Sequence, residues 1–390
     1  MADPKRYELR GVSASKSEVH AAIKGLDKGL FPLAFCKVLP DVAGGSDDYV
    51  NVMHADTAGT KTSLAYMYWK ETGDLSVWEG IAQDAIVMNL DDMACIGITN
   101  DILLSSTIGR NKNLISGDVI ATIIQSATAF CEMLKSHNVH IHLAGGETAD
   151  VGDIVRTIDV GYTAFARVPK SELIVNDIKP GQVIVGLASY GQATYESSYN
   201  GGMGSNGLTS ARHDVFSNIY STKYPDSYDH HTPADLVYSG NKMLDETLEI
   251  DGQKIPVGKL VLSPTRTFLP VLNKMLTEHK SSIRGIIHNT GGAHTKVKKF
   301  APGVRIVKDN LLPVPPLFDL IRDASGTSWE EMFQVFNMGT RLELYADEET
   351  ANSLIDISTG FNIDAQIIGR VVSSEKSEIE LHHGGNVFHY

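Results

Sequence analysis

VNVMHADTAGTK, residues 50–61, joins a strand pattern to a turn of small residues and a lysine. Apolar residues alternate through its first half, which is typical of a half-buried strand. Asp56 follows, then four small residues and Lys61, after which a helical pattern begins. Glycine lets the backbone approach a phosphate closely, lysine supplies a positive charge, and a carboxylate is a magnesium ligand. This order of residues suits a polyphosphate that carries a magnesium ion.

The stretch does not match the P-loop of nucleotide-binding proteins. A P-loop needs adjacent Gly and Lys with a second Gly five residues earlier, whereas Thr60 separates Gly59 from Lys61. On spacing alone, a strand–turn–helix junction with an exposed lysine is an equally good interpretation. The other motifs of the chain must therefore distinguish between the two.

Length and composition predict a globular protein with two domains. The chain has 390 residues, of which 42% are apolar and 21% are charged, as in ordinary soluble proteins. Its 34 basic and 47 acidic residues give a net charge of −13, which argues against nucleic acid or an anionic membrane as a partner. An anionic small-molecule substrate is compatible with this charge if a positive pocket or a metal ion offsets it.

The cysteines and the N-terminal residues predict a cytoplasmic protein. Cys36, Cys95 and Cys131 are odd in number and lack CxxC spacing, so neither a disulfide framework nor a zinc site is implied. A reducing compartment is the simplest setting for them. We expect no membrane partner, since no apolar stretch reaches about 18 residues and the first residues lack the apolar core of a signal peptide.

Three carboxylates lie on a helix predicted over residues 76–97. Asp84 and Asp91 are seven residues apart and share one face, with Asp92 beside them. Carboxylates on a mostly buried helix are costly unless they are paired or bind a metal. An exposed face of the helix is the alternative interpretation.

A second strand pattern contains His140 and His142 and ends in Gly145, Gly146, Glu147 and Thr148. Two glycines followed by a carboxylate repeat the order of the first motif, in which a close backbone approach precedes a metal or ribose contact. A tight turn would also account for the glycines. For the two histidines, exposed positions on a strand are favoured over a metal site.

The polar segment 168–181 contains two prolines and places the expected domain boundary near residue 170. The predicted domains are 1–170 and 171–390. In the second, a glycine loop at 204–207 precedes a helix predicted over 208–216, an arrangement that can bind an anion, although many such loops bind nothing. Both halves mix strands and helices, so the predicted fold class is α/β (α+β).

Taken in order, these motifs resemble those of the aminoimidazole ribonucleotide synthetases, the phosphoribosylformylglycinamidine cyclo-ligases. The family pattern Gly-Thr-Asp-Gly-Val-Gly-Thr-Lys keeps its Asp, its last Thr and its Lys here as Asp56, Thr60 and Lys61. The other matching positions are Tyr7 with Gly11 and Val12, Ile23 to Gly25, Met88 to Asp92, Gly145 to Ala149, Lys170 to Glu172, Ser205 to Gly207, Ser263 to Arg266, His288 with Thr290 to Gly292, and Phe336 and Asn337 with Gly339.

The resemblance implies a two-domain homodimer that acts as an ATP-dependent ligase of purine biosynthesis. Its N-terminal domain would supply strands to a β-barrel shared with a second subunit, with ATP near that interface, and its C-terminal α/β domain would close over the substrate. The implied reaction converts formylglycinamidine ribonucleotide and ATP to aminoimidazole ribonucleotide, ADP and phosphate. A related kinase or synthetase acting on another small phosphorylated or amide substrate is the alternative.

The resemblance also implies a role for individual residues. The implied catalytic residues are Lys24, Lys61 and His288, with His288 as a proton relay or, alternatively, a structural histidine. The magnesium carboxylates would be Asp56, Asp92 and Glu147. The nucleotide contacts would be Asp56, Thr60, Lys61, Asp92, Gly145, Gly146, Glu147 and Thr148. The substrate contacts would be Ser205, Asn206, Gly207, Thr290, Gly291 and Gly292.

The chain departs from the family pattern at several positions. The N-terminal glycine-rich loop is reduced to Gly44-Gly45, Asn-Asp becomes Asp91-Asp92, the third glycine of the later turn is Ala293, and an insertion occupies 195–202. Gly204 replaces the histidine of a His-Ser-Asn-Gly motif, which removes an imidazole that the family places in the site. His294, Tyr195 and His213 are the candidates to take its place.

Overall fold

The computed structural model describes residues 9–12, 21–22 and 24–390. Tyr7 and Ile23, two positions of the family resemblance, lie outside the described residues. The chain folds into two α/β domains, each built on one large sheet. In the described part of the chain, none of the helices combines the length and the apolar character that crossing a membrane requires.

The N-terminal domain contains a five-stranded sheet in the order β1-β2-β5-β3-β4. Its strands are β1 (Val38–Pro40), β2 (Tyr49–Thr57), β3 (Ile102–Arg110), β4 (Ile141–Asp150) and β5 (Ile158–Pro169). Only the β3–β4 pair is parallel. A parallel pair needs a crossover connection, and the helix between these two strands provides it.

Three helices cover one face of this sheet. They are α1 (Lys61–Thr72), α2 (Val77–Ala94) and α3 (Gly117–Ser136). All but two of the 18 residues of α2 are buried, so this helix lies in the core of the protein. The predicted helix over 76–97 is confirmed, and its three aspartates are buried, so the alternative of an exposed carboxylate face is wrong.

The other face of the five-stranded sheet is exposed in the single chain. Met53, Phe165 and Leu103 form one row across strands β2, β5 and β3, and Met53 and Leu103 are 63% and 45% exposed. The sheet does not close on itself, since β1 and β4 are its two edges. The barrel implied by the family resemblance would therefore need a second chain.

The expected turn at residues 145–148 is wrong, because β4 continues through them to Asp150. The pairing of β4 with β3 shifts register between Leu104 and Ser106. Gly145 has a φ of 86°, a conformation that glycine adopts without strain, and it lies where β4 carries the extra residues. The first glycine therefore serves a β-bulge and does not end the strand.

The C-terminal domain contains a seven-stranded sheet in the order β11-β13-β6-β14-β12-β15-β16. Its strands are β6 (Val183–Ala188), β11 (Gly285–His288), β12 (Val304–Lys308), β13 (Thr340–Ala346), β14 (Ala365–Ser373), β15 (Glu378–His383) and β16 (Asn386–His389). Two small hairpins are β7 (Tyr190–Gly191) with β8 (Asn200–Gly201), and β9 (Thr247–Ile250) with β10 (Gln253–Pro256).

Seven further α-helices follow in the described part of the C-terminal domain. They are α4 (Leu208–Val215), α5 (Ile219–Lys223), α6 (Val257–Val261), α7 (Leu269–His279), α8 (Pro316–Ser325), α9 (Trp329–Val335) and α10 (Glu348–Gly360). The helix predicted over 208–216 is confirmed as α4. Helix α4 matters most for the site, because it begins directly after the glycine loop 204–207.

Candidate functional site

Lys61 begins α1 and its side chain is completely buried. Its Nζ donates to Asp84 Oδ1 at 2.8 Å, to the Ser263 carbonyl at 2.6 Å and to the Gly204 carbonyl at 3.3 Å. Asp84 Oδ1 also accepts from the Thr265 amide at 2.7 Å. Burial lowers the pKa of Lys61, although the Asp84 carboxylate opposes this shift. Lys61 and Asp84 both belong to the N-terminal domain, and their hydrogen bonds to Gly204, Ser263 and Thr265 connect this ion pair to the second domain.

The alternative interpretation of the first motif, in which Lys61 is exposed, is therefore wrong. A lysine ammonium has three donors, and protein atoms accept from Lys61 Nζ at three positions. A bound phosphate would have to compete with these partners. The role of Lys61 as a phosphate contact stays a prediction.

The end of the first motif lies against the glycine loop of the second domain. Thr60 Oγ1 is 2.7 Å from Thr209 Oγ1, in the first turn of α4. Helix α4 follows Gly207, which has a φ of 77°, and no side chain caps its first turn. Uncapped N–H groups at a helix N-terminus are suited to bind an anion. A Cβ on Gly207 would lie 2.3 Å from Phe336 Cε1, so only glycine fits there.

The two predicted substrate segments are adjacent. A Cβ on Gly291 would lie 3.7 Å from Asn206 Nδ2, which places the Thr290–Gly292 turn beside the Ser205–Gly207 loop. Lys296 Nζ donates to Thr290 Oγ1, so a cation borders the same surface. The structure thus brings these sequence-predicted residues together with Thr60.

Asp92 lies near the end of α2, between two histidines. Its Oδ1 accepts from His288 Nδ1 at 2.7 Å, and its Oδ2 is 3.4 Å from His54 Nε2. Burial by itself would raise the pKa of Asp92, but the Lys296 ammonium and the two histidines outweigh it and hold the pKa below its usual range. Asp92 is therefore an anion at neutral pH.

His288 has both ring nitrogens occupied. Its Nε2 lies 2.9 Å from Arg341 Nε, and because an arginine can only donate, this nitrogen accepts and Nδ1 carries the proton given to Asp92. Burial, and then the Arg341 charge, lower the pKa of His288 to about 4. This geometry favours the structural alternative, and the proton-relay role stays a prediction.

The three carboxylates predicted for magnesium do not converge within one chain. Asp56 shares a row with Gly146, and Glu147 shares the next row with Thr57. Neighbouring residues of a strand point to opposite faces, so Glu147 lies on the face opposite Asp56, while Asp92 is bonded to histidines. Among the described residues no group of three His, Cys, Asp or Glu side chains is placed to hold a metal.

The remaining predicted residues lie at the surface. Lys24 is exposed in a turn, where its amide bonds to the Ala21 carbonyl at 3.3 Å. Residues 145–148 are exposed on β4, an edge strand of the first sheet. Neither group contributes to the buried hydrogen-bond network around Asp92.

The sequence interpretation missed three residues of the site, namely His54, Lys296 and Arg341. His54 precedes Asp56 by two positions and therefore shares its face, so strand alternation could have revealed it. Its Nδ1 is 3.0 Å from Asn89 Oδ1. Lys296 lies on an irregular helical turn, and no spacing signal marks it.

Gly204 faces an arginine instead of the three candidates for the missing imidazole. His294, His213 and Tyr195 are bonded to backbone atoms of Asn337, Tyr238 and Thr267, respectively. A Cβ on Gly204 would instead lie 3.3 Å from Arg341 Nη1. The guanidinium thus occupies the space into which a side chain at position 204 would point.

Acidification is expected to destabilise the fold through its buried histidines. Burial, together with the nearby Lys308, lowers the pKa of His294 to about 3, and burial also lowers the pKa of His213, whereas histidine in an unfolded chain has a pKa of about 6.5. Below that pH the unfolded chain binds more protons than the folded chain. The free energy of unfolding should therefore fall as pH drops from about 6.5 toward 3, as measured by urea unfolding at several pH values.

Two variants test this origin of the acid sensitivity. H294Q keeps a donor near the Asn337 carbonyl but removes the titration, so it should weaken the pH dependence. H140Q changes an exposed histidine and should leave the dependence unchanged. Equal slopes for H294Q and the unmodified protein would contradict the assignment.

Comparison with known proteins identifies both domains. Residues 37–168 match the family model "AIR synthase related protein, N-terminal domain", and residues 179–382 match the model of the C-terminal domain. The chain is 33% identical to the phosphoribosylformylglycinamidine cyclo-ligase of Methanocaldococcus jannaschii, over 84% of this chain and 79% of that protein.

Solved structures share the fold at low sequence identity. PurL of Thermotoga maritima complexed with ADP matches 98% of this chain and 50% of its own, with a TM-score of 0.55 and 13% identity. AaThiL complexed with AMPPCP and TMP matches 95% of this chain and 93% of its own, with a TM-score of 0.54 and 12% identity. Since the two domain models cover most of its length, the chain belongs to the AIR synthase related family, of which it is a divergent member.

Proposed function

We propose that this chain closes the ring of formylglycinamidine ribonucleotide in purine biosynthesis, with ATP as the phosphoryl donor. The observation that carries the proposal is the surface shared by the Ser205–Gly207 loop and the Thr290–Gly292 turn. It combines an uncapped helix N-terminus with a nearby cation, as binding of a ribose phosphate requires. The name of the relative from Methanocaldococcus jannaschii supports the same reaction.

The chemistry needs an activated amide. The formyl oxygen attacks the γ-phosphorus of ATP and ADP leaves, which turns a poor leaving group into a phosphate ester. An amidine nitrogen then attacks the formyl carbon, phosphate departs, and the nitrogen loses its proton. The protein forms no covalent bond in this scheme, so its contribution is to position the reactants and neutralise charge.

The described residues suit this division of work. The α4 N–H groups and Asn206 would bind the substrate phosphate, and Lys296 supplies local positive charge in a chain whose net charge is −13. Asp92, anionic and oriented by two histidines, would accept a hydrogen bond from the amidine or orient a cation. His288 would then act mainly by holding Asp92.

We propose that ATP and magnesium bind to an assembly of two copies of this chain. Among the described residues, Asp56, Asp92 and Glu147 are not placed together to hold a metal, so no step of the reaction is assigned to a metal held by this chain. We infer that a second copy completes the nucleotide site by covering the exposed sheet face. The cytoplasm is the proposed location.

The homodimer has a direct test in the exposed row of Met53, Phe165 and Leu103. Two aspartates in this row, M53D/L103D, would place charges inside an apolar interface, so we expect sedimentation velocity to show a monomer where the unmodified chain is a dimer. I124D, at an exposed position of α3, is the matched control and should remain dimeric. A dimeric M53D/L103D would exclude this face as the interface.

Rescue of a purine auxotroph that lacks its own cyclo-ligase tests the function in cells. Expression of this chain should restore growth without added purine, and the D92N variant should not. Failure to rescue at a comparable level of folded protein would refute the proposal.

A related ATP-dependent kinase or synthetase is the second candidate. The observation that favours it is Gly204, whose missing side chain and facing arginine alter the site. ADP production measured against a set of small phosphorylated and amide acceptors separates the two candidates, because only the ring-closing enzyme should prefer formylglycinamidine ribonucleotide.

A further inference from the structure

We propose that Arg341 is a positioning residue of the candidate site, which holds His288 in its neutral Nδ1–H form and, through His288, orients the carboxylate of Asp92. Its effect on catalysis rests on the proposed function. Its effect on the His288 ring does not, and the two can be measured separately.

The backbone around Arg341 interrupts the regular sheet. Thr340 pairs with Ala188 and Leu342 pairs with Leu187, so Arg341 is the extra residue of a β-bulge in β13. Met338, three residues earlier, has a φ of 49°. Bulges change the direction of a side chain and are frequent beside active sites. Here the bulge directs a long cationic side chain toward the domain interface.

The guanidinium makes one short directional contact in this interior. Arg341 is buried, and its Nε donates to His288 Nε2 at 2.9 Å, while Nη2 lies 3.9 Å from Met88 Sδ. Burial lowers the pKa of Arg341 to about 10, with the carboxylates of α2 opposing the shift. The side chain is therefore charged at neutral pH and always a donor.

The glycine loop is shaped around this guanidinium. A Cβ on Gly204 would lie 3.3 Å from Arg341 Nη1 and 3.6 Å from Cζ, and the Gly204 carbonyl accepts from Lys61. Gly204 therefore bonds to one buried cation and faces the other. A side chain at position 204 would press on Arg341 from the substrate-loop side.

Arg341, His288 and Asp92 form a series of hydrogen bonds in which each donor and acceptor can be assigned. Arg341 donates to His288 Nε2, so the ring proton lies on Nδ1, and Nδ1 donates to Asp92 Oδ1 at 2.7 Å. Without Arg341, Nε2 loses its donor, and the positive charge that disfavours a second ring proton is gone. Since the Asp92 carboxylate can only accept, Nδ1 keeps its proton and a second proton binds at Nε2, which replaces the neutral Nδ1–H form by an imidazolium paired with Asp92.

Ring ¹⁵N chemical shifts of the ¹⁵N-histidine-labelled protein at one fixed neutral pH report the tautomer, with H288Q assigning the signal. We expect the Nδ1–H form in the unmodified protein and in R341K, and loss of that form in R341M. The matched control is R212K, since Arg212 is also buried but bonds to the Ser227 carbonyl and the Tyr238 hydroxyl. R212K should leave the His288 signal unchanged.

The kinetic readout is a double-mutant cycle on ring closure. R341M should lower kcat about ten- to hundredfold, as is typical for residues that orient a site, with a smaller change in KM. The double variant H288Q/R341M should lose no more activity than the more impaired single variant, because both changes break the same series of hydrogen bonds to Asp92.

G204A tests the same contact without removing any polar group. It should lower kcat in the unmodified protein but add little to R341M, whose shorter side chain leaves room for the methyl group. G326A is the control, because Gly326 has a φ of 69°, against 68° for Gly204, and no atom within 4 Å of its Cβ position. If R341M does not fold, R341K takes its place in this comparison, because lysine has no atom at the position of Arg341 Nη1.

Two results would overturn the proposal. One is a folded R341M that keeps the Nδ1–H tautomer of His288. The other is a loss from G204A that is the same with and without Arg341. If the unmodified chain forms no aminoimidazole ribonucleotide, the proposed function fails, and the tautomer comparison still decides the role of Arg341.

Discussion

Replacing Lys61 with methionine is expected to lower the free energy of unfolding by about 3–5 kcal/mol, without any nucleotide present. Asp84 would remain buried without its cation, and the carbonyls of Gly204 and Ser263 would lose a donor. Urea unfolding followed by circular dichroism measures this loss.

The double variant K61M/D84N separates charge from packing. The amide can still accept from the Thr265 amide, but no buried charge is left without a partner, so this variant should recover part of the lost stability. K135M, at an exposed position of α3, should stay within about 0.5 kcal/mol of the unmodified chain. A stability of K61M equal to that of K135M would contradict the buried ion pair.

Replacing Asp92 with asparagine is expected to reduce ring closure by about 100- to 1000-fold, the range found when one preorganised polar group is removed from a site. An asparagine carries no charge, and only its oxygen can accept the proton of His288 Nδ1. The charge balance with Lys296 is also lost. Steady-state formation of aminoimidazole ribonucleotide measures the effect.

The neighbouring D91N is the matched control for D92N. Asp91 accepts from Thr267 Oγ1 at 2.8 Å and from the Phe268 amide at 3.0 Å, and burial raises its pKa to about 7. Its neutral form already exists near pH 7, so the amide should preserve most of the activity. Equal losses in D91N and D92N would assign the effect to the helix as a whole.

The fold was predictable where residues repeat with one period. Helix α2 could be recognised from its helical apolar spacing, and β6 from its apolar run between turn residues. Sheet order was not predictable, because pairs such as β12 with β15 join segments far apart in sequence. The sequence also did not show which face of the sheet each residue of β4 occupies, because the bulge that shifts the alternation arises only when β4 pairs with β3.

The site was predictable only in part, for the same reason. The motifs identified Asn206 and Gly291 as neighbours in function, and the structure places them side by side. The burial of Lys61 depends on backbone carbonyls of the second domain, which no local pattern reveals. Arg341 lies on a bulge, where the alternation that marks strand residues is broken.

Ring closure is measured by incubating the purified chain with ATP, magnesium and formylglycinamidine ribonucleotide and following ADP and aminoimidazole ribonucleotide together. We expect the unmodified chain to form the two products in equal amounts and D92N to form almost none of either. A folded chain that binds ATP but produces no aminoimidazole ribonucleotide would contradict it.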